Sequence, residues 1–267
     1  MERVFSTSDR FWQYVLFRVR PAFLASRIKR MIGLRRRNIE TGYGAFHVDP
    51  VSQFAVALTS PKGYEPEMSH ALAHFLKPGG IFVDIGANEG FFSVMASRLV
   101  GTEGRVVAVE PQTRLKGVME TNFRLNGIAN VALVPCAISD REGTVDLFVS
   151  PDTNTGSTAL QNMTRYGLPR ETVAVTTLSK LFESQVIPHA DLVKMDIEGA
   201  EFEAILGSPD LFESQRIRAF AFELHHGAIE KRGGDPQAVI RLMEKCGYAL
   251  APGLPASVWV APDPAAG

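Results

Sequence analysis

Three groups of residues in this chain have types and spacings that suit chemistry. The first is Asp84-Ile-Gly86-Ala-Asn88-Glu-Gly90, an acid followed by glycine, asparagine and glycine at alternate positions. Glycines let backbone approach a ligand closely and take positive φ without steric cost, and the N–H groups that open a helix favour a negative group. The second is Glu110 with Pro111, 20 residues beyond Gly90, the distance at which an acidic side chain meets a ribose diol. The third comprises Lys194, Asp196 and Glu198, with His225 and His226 further along. A carboxylate or an imidazole beside a reacting hydroxyl can take its proton, and histidine titrates in the useful range.

The elements that must position these groups follow from periodicity. The apolar run from Ile81 ends in Asp84, and Phe92, Met95, Ala96 and Leu99 lie at i, i+3, i+4 and i+7. That pattern predicts a buried strand, a glycine turn and a helix. Further strands are expected at Arg105 to Val109, Val131 to Ile138, Asp191 to Ile197 and Ile217 to Leu224. Leu115, Val118 and Met119 mark one intervening helix, and Phe202, Ile205 and Leu206 another. Such alternation implies parallel strands with right-handed crossovers, and ligands of such sheets gather at the strands' carboxyl ends.

Ahead of the central strand, Ala45 to Val48 and Phe54 to Leu58 look like short strands around an Asp49-Pro50 turn. A helix through Met68, Leu72, Phe75 and Leu76 stops at Lys77-Pro78-Gly79-Gly80. Just before it, Tyr64 and Glu65 either fix a turn or touch the ligand. From Gly143 to Val175 the rhythm breaks. Strands at Thr144 to Val149 and Thr172 to Val175 flank the polar loop Asp152 to Thr158, an insertion over the ligand face. A helix from Pro236 to Cys246 leads to a closing strand near Ser257 to Val260, and the tail 261–267 is expected to fray.

Charge is uneven. The whole chain of 267 residues has a formal net charge of −1, so no overall field points to nucleic acid. Residues 1–40 hold ten Lys and Arg against three Asp and Glu, while the remaining 227 carry about −8. The basic stretch is amphipathic. Phe11, Trp12, Val15, Leu16 and Val19 share one helical face, Pro21 interrupts, and a second piece carries Phe23, Leu24, Ile28, Met31 and Ile32. It is either a cap helix packed on the main domain or a peripheral membrane anchor. No apolar run is long enough for a membrane span. Cys136 and Cys246 match neither a disulfide framework nor a zinc spacing, which points to a reducing cytoplasm. The expected division is an extension over 1–41, one domain over 42–260 and a tail over 261–267.

Two ligands suit this architecture, NAD and S-adenosylmethionine. NAD sites favour Gly-x-Gly-x-x-Gly, whereas here the order is Asp-x-Gly-x-Asn-x-Gly. Asp84 can face a ligand ammonium, which a dinucleotide lacks.

Phe82-Val-Asp-Ile-Gly-Ala-Asn-Glu-Gly-Phe-Phe-Ser93, Val109-Glu-Pro111 and Leu192-Val-Lys-Met-Asp-Ile-Glu-Gly-Ala-Glu201 together resemble the FkbM-type S-adenosylmethionine-dependent methyltransferases. Gly63 to Glu67 and Asn154 to Leu160 are also similar, and the likeness spans roughly residues 43–226. It implies an α/β, Rossmann-like class I methyltransferase fold, with a mostly parallel seven-stranded sheet and helices on both faces. It also implies methyl transfer mostly to hydroxyl oxygens of sugars, glycans or glycolipids, or natural products. Carried over by residue, Gly86 and Gly90 line the methionine end of the cofactor, with Asp84 and Asn88 supporting the turn. Glu110 takes the ribose hydroxyls. Cys136 or Ala137 sits by the adenine, with Asp140 as another candidate, and Asp196 faces the reacting methyl group. Cys136 equally suits a small core position.

A hydroxyl acceptor needs a base. His225 is the first choice, oriented by Glu223, with His226 as its neighbouring alternative and Asp196 or Glu198 as other bases. On an extended strand 194, 196 and 198 share a side, so Lys194 can hold a carboxylate charged. Glu201 and Glu203 suit the first turn of a helix. No metal spacing is evident, although a Mg²⁺ shared with a diol through Asp196 stays open. Three other readings are an NAD-linked sugar oxidoreductase, a non-catalytic binding module and an RNA methyltransferase. The last is disfavoured by the acidic main domain and by Asp196-Ile-Glu-Gly where base-methylating enzymes often carry Asn/Asp-Pro-Pro-aromatic.

Overall fold

The computed structural model describes residues 5–19, 23–150, 154–157, 169–254 and 258–262. Pro21, the outer part of the polar loop and most of the tail lie outside them.

A seven-stranded sheet positions the site. β3 (Ile81–Ile85) lies in its interior, with β4 (Arg105–Val109) and β5 (Val131–Val134) added in parallel on one side. β9 (Leu192–Met195) and β10 (Ala219–Phe222) are added in parallel on the other. β12 (Val258–Val260) and β11 (Ala249–Leu250) close that edge antiparallel. The chain leaves β3 outward to β4 and β5, then returns to the opposite side at β9. The strand order therefore reverses between β3 and β9, and a crevice opens beyond their carboxyl ends.

Both faces of the sheet are covered, so its strands are apolar throughout. Phe82, Val106 and Ala108 face one layer, and Val83, Ile85, Val107 and Val109 the other. The first layer is filled by α4 (Pro66–Phe75), α5 (Phe91–Val100) and α6 (Thr113–Leu125) through Leu72, Val94 and Met119. The second is filled by α7 (Leu178–Ser184), α8 (Glu201–Leu206), α9 (Pro209–Glu213) and α11 (Gln237–Lys245), through Phe182, Ile205, Phe212 and Met243. The expected doubly wound α/β fold with a mostly parallel seven-stranded sheet is present.

Two local expectations change in these elements. Phe54 to Leu58 is helical: α3 spans Gln53–Leu58, and Ser52 caps it by accepting from the Ala55 N–H at 3.0 Å. Capping at a serine outweighs the β-propensity of so short a run. The expected strand from Val131 to Ile138 is two strands. β5 ends at Val134, and after Pro135 and Cys136 the chain turns into β6 (Ala137–Ser139), which pairs with β8 (Arg170–Thr177). Proline has no N–H to continue a ladder. β7 (Gly143–Phe148) completes this three-stranded sheet beside the crevice.

The basic extension packs as helices α1 (Thr7–Leu16) and α2 (Phe23–Met31), with Leu16 and Ala25 buried against Val51. Lys29 forms a buried ion pair with Asp49. Phe11, Tyr14 and Met31 stay exposed. The extension's last residues are not helical: β1 (Arg37–Thr41) pairs antiparallel with β2 (Gly44–Val48). No helix among the described residues is long and apolar enough to cross a membrane.

Candidate active site

The crevice contains a cavity of about 310 Å³. Its floor is the turn after β3. Gly86 has φ +78°, and a Cβ there would stand 1.9 Å from the Asp196 carbonyl oxygen, so only glycine lets β3 and β9 approach this closely. Ala87, Asn88 and Glu89 continue the lining. Asn88 has φ +51°, and its Oδ1 is buried without a hydrogen-bond partner. A buried acceptor left open toward a cavity is a place for a ligand donor. Gly90 lies deeper. It opens α5 with φ +81° against Phe123 and does not line the cavity.

Asp84 also departs from expectation. It is fully buried beneath the cavity rather than along its wall. Ser93 Oγ donates to its Oδ2 at 2.7 Å, and Lys194 Nζ lies 4.0 Å from its Oδ1. These two partners stand where a ligand ammonium was expected, because the strand turns this side chain inward under α5. Burial pushes its carboxyl up, against the pull of Lys194 and Ser93.

Glu110 ends β4 and lines the cavity. The Asn88 N–H donates to its Oε2 at 2.8 Å and the Gln112 N–H to its Oε1 at 3.0 Å. Each oxygen thus holds one backbone donor, and the Gln112 side chain adds a further hydrogen bond to the carboxylate. Burial raises this carboxyl while the two N–H bonds oppose the rise. Cys136 and Ala137 border the cavity further along, and burial pushes the Cys136 thiol up to about 11. Asp140 does not reach it; its Oδ1 accepts from Ser139 and Arg141 at the small sheet. Gln112 holds the inner part of the polar loop across the site by donating to the Thr155 carbonyl at 3.2 Å.

At the opposite end stand the groups with acid–base capacity. Lys194 is buried, with Nζ 3.8 Å from Asp196 Oδ2 and 3.3 Å from the Gly86 carbonyl. Burial works against its charge, but Asp196 and Asp84 outweigh that and raise its pKa. The expected pairing of Lys194 with Asp196 is present. Glu198 reaches the site differently from the expected strand alternation. β9 ends at Met195, and Glu198 sits in a turn at φ +54°.

His225 lines neither the cavity nor its neighbour; it stands behind Glu198 and Glu201. Its Nδ1 is 3.2 Å from Glu201 Oε1 and its Nε2 3.6 Å from Glu198 Oε2. Glu201, and not Glu223, orients it. Glu201 is fully buried at the start of α8 and also accepts from the Ile197 and Gly199 N–H groups. The sequence signal available was an acid opening a helix next to a strand end. Glu203 pairs with Arg232 at 2.9 Å. The hydrogen bond to Glu201 raises the His225 pKa to about 9, against partial burial. Burial, then Asp196, raises Glu198. One ligand atom each from Asp196, Glu198 and His225 lies within 4.8 Å of the others, a spacing that can hold a metal ion.

A second cavity of about 330 Å³ adjoins the first. Glu65, Lys194 and Asp196 border both. Met68, Met195, Ala221, Phe222 and Val258 give it apolar walls, and Glu67 and Glu223 flank it.

Comparison with known proteins agrees with this arrangement. No curated protein matches the chain. Among solved structures, it is similar to an assigned rRNA methylase of Clostridium thermocellum, at 20% identity over 27% of this chain with a TM-score of 0.27. That match spans 41% of the other chain, less than half its length. It is similar to precorrin-6y C5,15-methyltransferase of Geobacter metallireducens, at 17% identity over 68% of this chain and 71% of that one, with a TM-score of 0.38. A S-adenosylmethionine-dependent methyltransferase of Aquifex aeolicus shares 15% identity over 76% of this chain and 93% of its own, with a TM-score of 0.40. The family described as Methyltransferase FkbM domain matches residues 84–250, from the acid of the glycine turn to the last strands of the sheet. The chain belongs to this FkbM methyltransferase family.

Proposed function

We propose that this methyltransferase places a methyl group on a hydroxyl oxygen of an uncharged hydroxylated acceptor: a sugar, a glycan or glycolipid, or a related natural product. S-adenosylmethionine is the cofactor, and when bound it supplies a methyl group on a positively charged sulfur. The first cavity suits it. The open acceptor of Asn88 and the Glu110 carboxylate at the cavity wall fit ligand donors such as ribose hydroxyls. Cys136 and Ala137 offer a flat apolar border for a base, and Gly86 leaves room for close backbone approach.

The observation that carries the reading is the shared border of the two cavities. Glu65, Lys194 and Asp196 are common to both, so a donor in one and an acceptor in the other meet at three ionisable side chains. Holding the acceptor oxygen against the methyl carbon supplies much of the rate. Asp196, paired with Lys194, orients the acceptor by accepting from one of its hydroxyls. The second cavity combines apolar walls with Glu65, Glu67, Asp196 and Glu223, against Lys194 alone. A phosphate backbone would meet like charge there, which favours an uncharged acceptor over RNA.

Calorimetry with S-adenosylhomocysteine and with NAD tests the donor, and labelled methyl transfer onto neutral glycan, glycolipid and RNA fractions tests the acceptor. Binding of S-adenosylhomocysteine with label in a neutral fraction supports the reading. Binding of NAD alone, or label confined to RNA, overturns it.

A further inference from the structure

We propose that Glu65 is the general base, a residue outside the glycine turn and both histidines; the assignment rests on the transferase reading above. Its position is unusual for its type. Glu65 is the N-cap of α4, yet its carboxylate makes no capping hydrogen bond. Its backbone is left-handed, with φ 40° and ψ 67°, a strained conformation for a non-glycine residue. Pro66 follows at the first helical position and fixes where the helix starts. Released from the helix, the carboxylate borders both cavities at their junction, where it also accepts a hydrogen bond from the Tyr64 hydroxyl.

The competing groups are less suited. Asp196 also borders both cavities, but its carboxylate is committed to the ion pair with the Lys194 ammonium, 3.8 Å from its Oδ2. His225 borders neither cavity, and Glu198 borders only the first. Desolvation by the cleft walls raises the Glu65 carboxyl, with Lys194 and the Tyr64 hydrogen bond opposing, and a base works best when its pKa approaches the working pH. In the step, the acceptor O–H bond breaks and its proton passes to the Glu65 carboxylate. The oxygen's electron pair forms the bond to the methyl carbon, and sulfur keeps the pair of the carbon–sulfur bond and leaves neutral.

The test compares the wild type, Glu65→Gln and His225→Gln, with labelled methyl transfer onto the neutral glycan and glycolipid fractions followed from pH 5 to 9. The wild type should lose rate tenfold per pH unit below the base's pKa. Glu65→Gln should be at least about 100-fold slower and lack that acidic limb, with unchanged affinities for S-adenosylmethionine and S-adenosylhomocysteine. His225→Gln should retain the limb. Weaker binding of either cofactor form by Glu65→Gln, with the limb intact, would mean that Glu65 holds the donor and would overturn the assignment. So would loss of the limb in His225→Gln. Absence of transfer by the wild type to every fraction, although S-adenosylhomocysteine binds, would overturn the transferase reading and this assignment with it.

Discussion

Arg36 grips Glu89 with both ends of its guanidinium, Nη1 to Oε2 at 2.7 Å and Nη2 to Oε1 at 2.9 Å. Glu89 is buried in the glycine turn and lines the first cavity. Its carbonyl accepts from Asn122 Nδ2 at 2.7 Å, and Asn122 Oδ1 accepts the His47 N–H at 2.6 Å. The end of the basic extension and the hairpin after it are thus tied to the turn that forms the site.

Arg36→Met should therefore act on both stability and binding. It leaves a buried carboxylate without its cation, a loss of about 3 kcal/mol, measurable by urea unfolding. S-adenosylhomocysteine should bind more weakly in calorimetry. A stability loss below about 1 kcal/mol would show that Glu89 gains water in place of the arginine.

Gly86 is the position least able to accept a side chain. Alanine there would combine a positive φ with a Cβ overlapping the Asp196 carbonyl. Gly86→Ala should cost about 3 kcal/mol or more and abolish S-adenosylhomocysteine binding. Thermal melts and calorimetry read the two effects, and near-normal values in both would refute the close approach of β3 and β9.

Glu110→Gln tests the ribose contact. The substitution keeps the shape but removes the charge, and one oxygen becomes a donor facing a backbone N–H. Hydrogen bonds to charged groups contribute about 1.5–3 kcal/mol, so the dissociation constant of S-adenosylhomocysteine should rise about 10- to 100-fold. An unchanged constant would free Glu110 from ligand binding and leave it as a brace for Asn88 and Gln112.

His225 gives a pH signature. Its folded pKa, raised to about 9 from 6.5 by the bond to Glu201, exceeds its unfolded value. Its contribution to stability is then fully present below about pH 6.5 and lost as pH rises through about 9. Urea midpoints should fall across that window in the wild type and stay flatter in His225→Gln. The same proton competes with a cation for the space between Asp196, Glu198 and His225. Mn²⁺ uptake there should strengthen from pH 7 to 9; equal affinity at both ends would argue against a protonated imidazole.

The chain's order of strands and helices was legible because a doubly covered parallel sheet demands continuous apolar strands and amphipathic helices, and both leave periodic marks. Gly86 and Glu110 could be located for a related reason, their spacing along the one unit β3–α5–β4, and the Lys194–Asp196 pair by its two-residue spacing at the end of β9. Asp84 could not be placed, since only the packing of α5 over β3 turns it toward Ser93 and Lys194. The break at Pro135 was visible as a residue but not as a change of sheet, which depends on β8 arriving from 35 positions later. Arg36 carries no motif, and the family-like segments that hold Glu65 and Glu201 give neither residue its partner. What brings Glu201 to His225, Arg36 to Glu89 and Glu65 to the junction of two cavities is contact between segments distant in the chain. Periodicity fixes which face of an element is buried; which charges meet across the gap is decided only when the layers close.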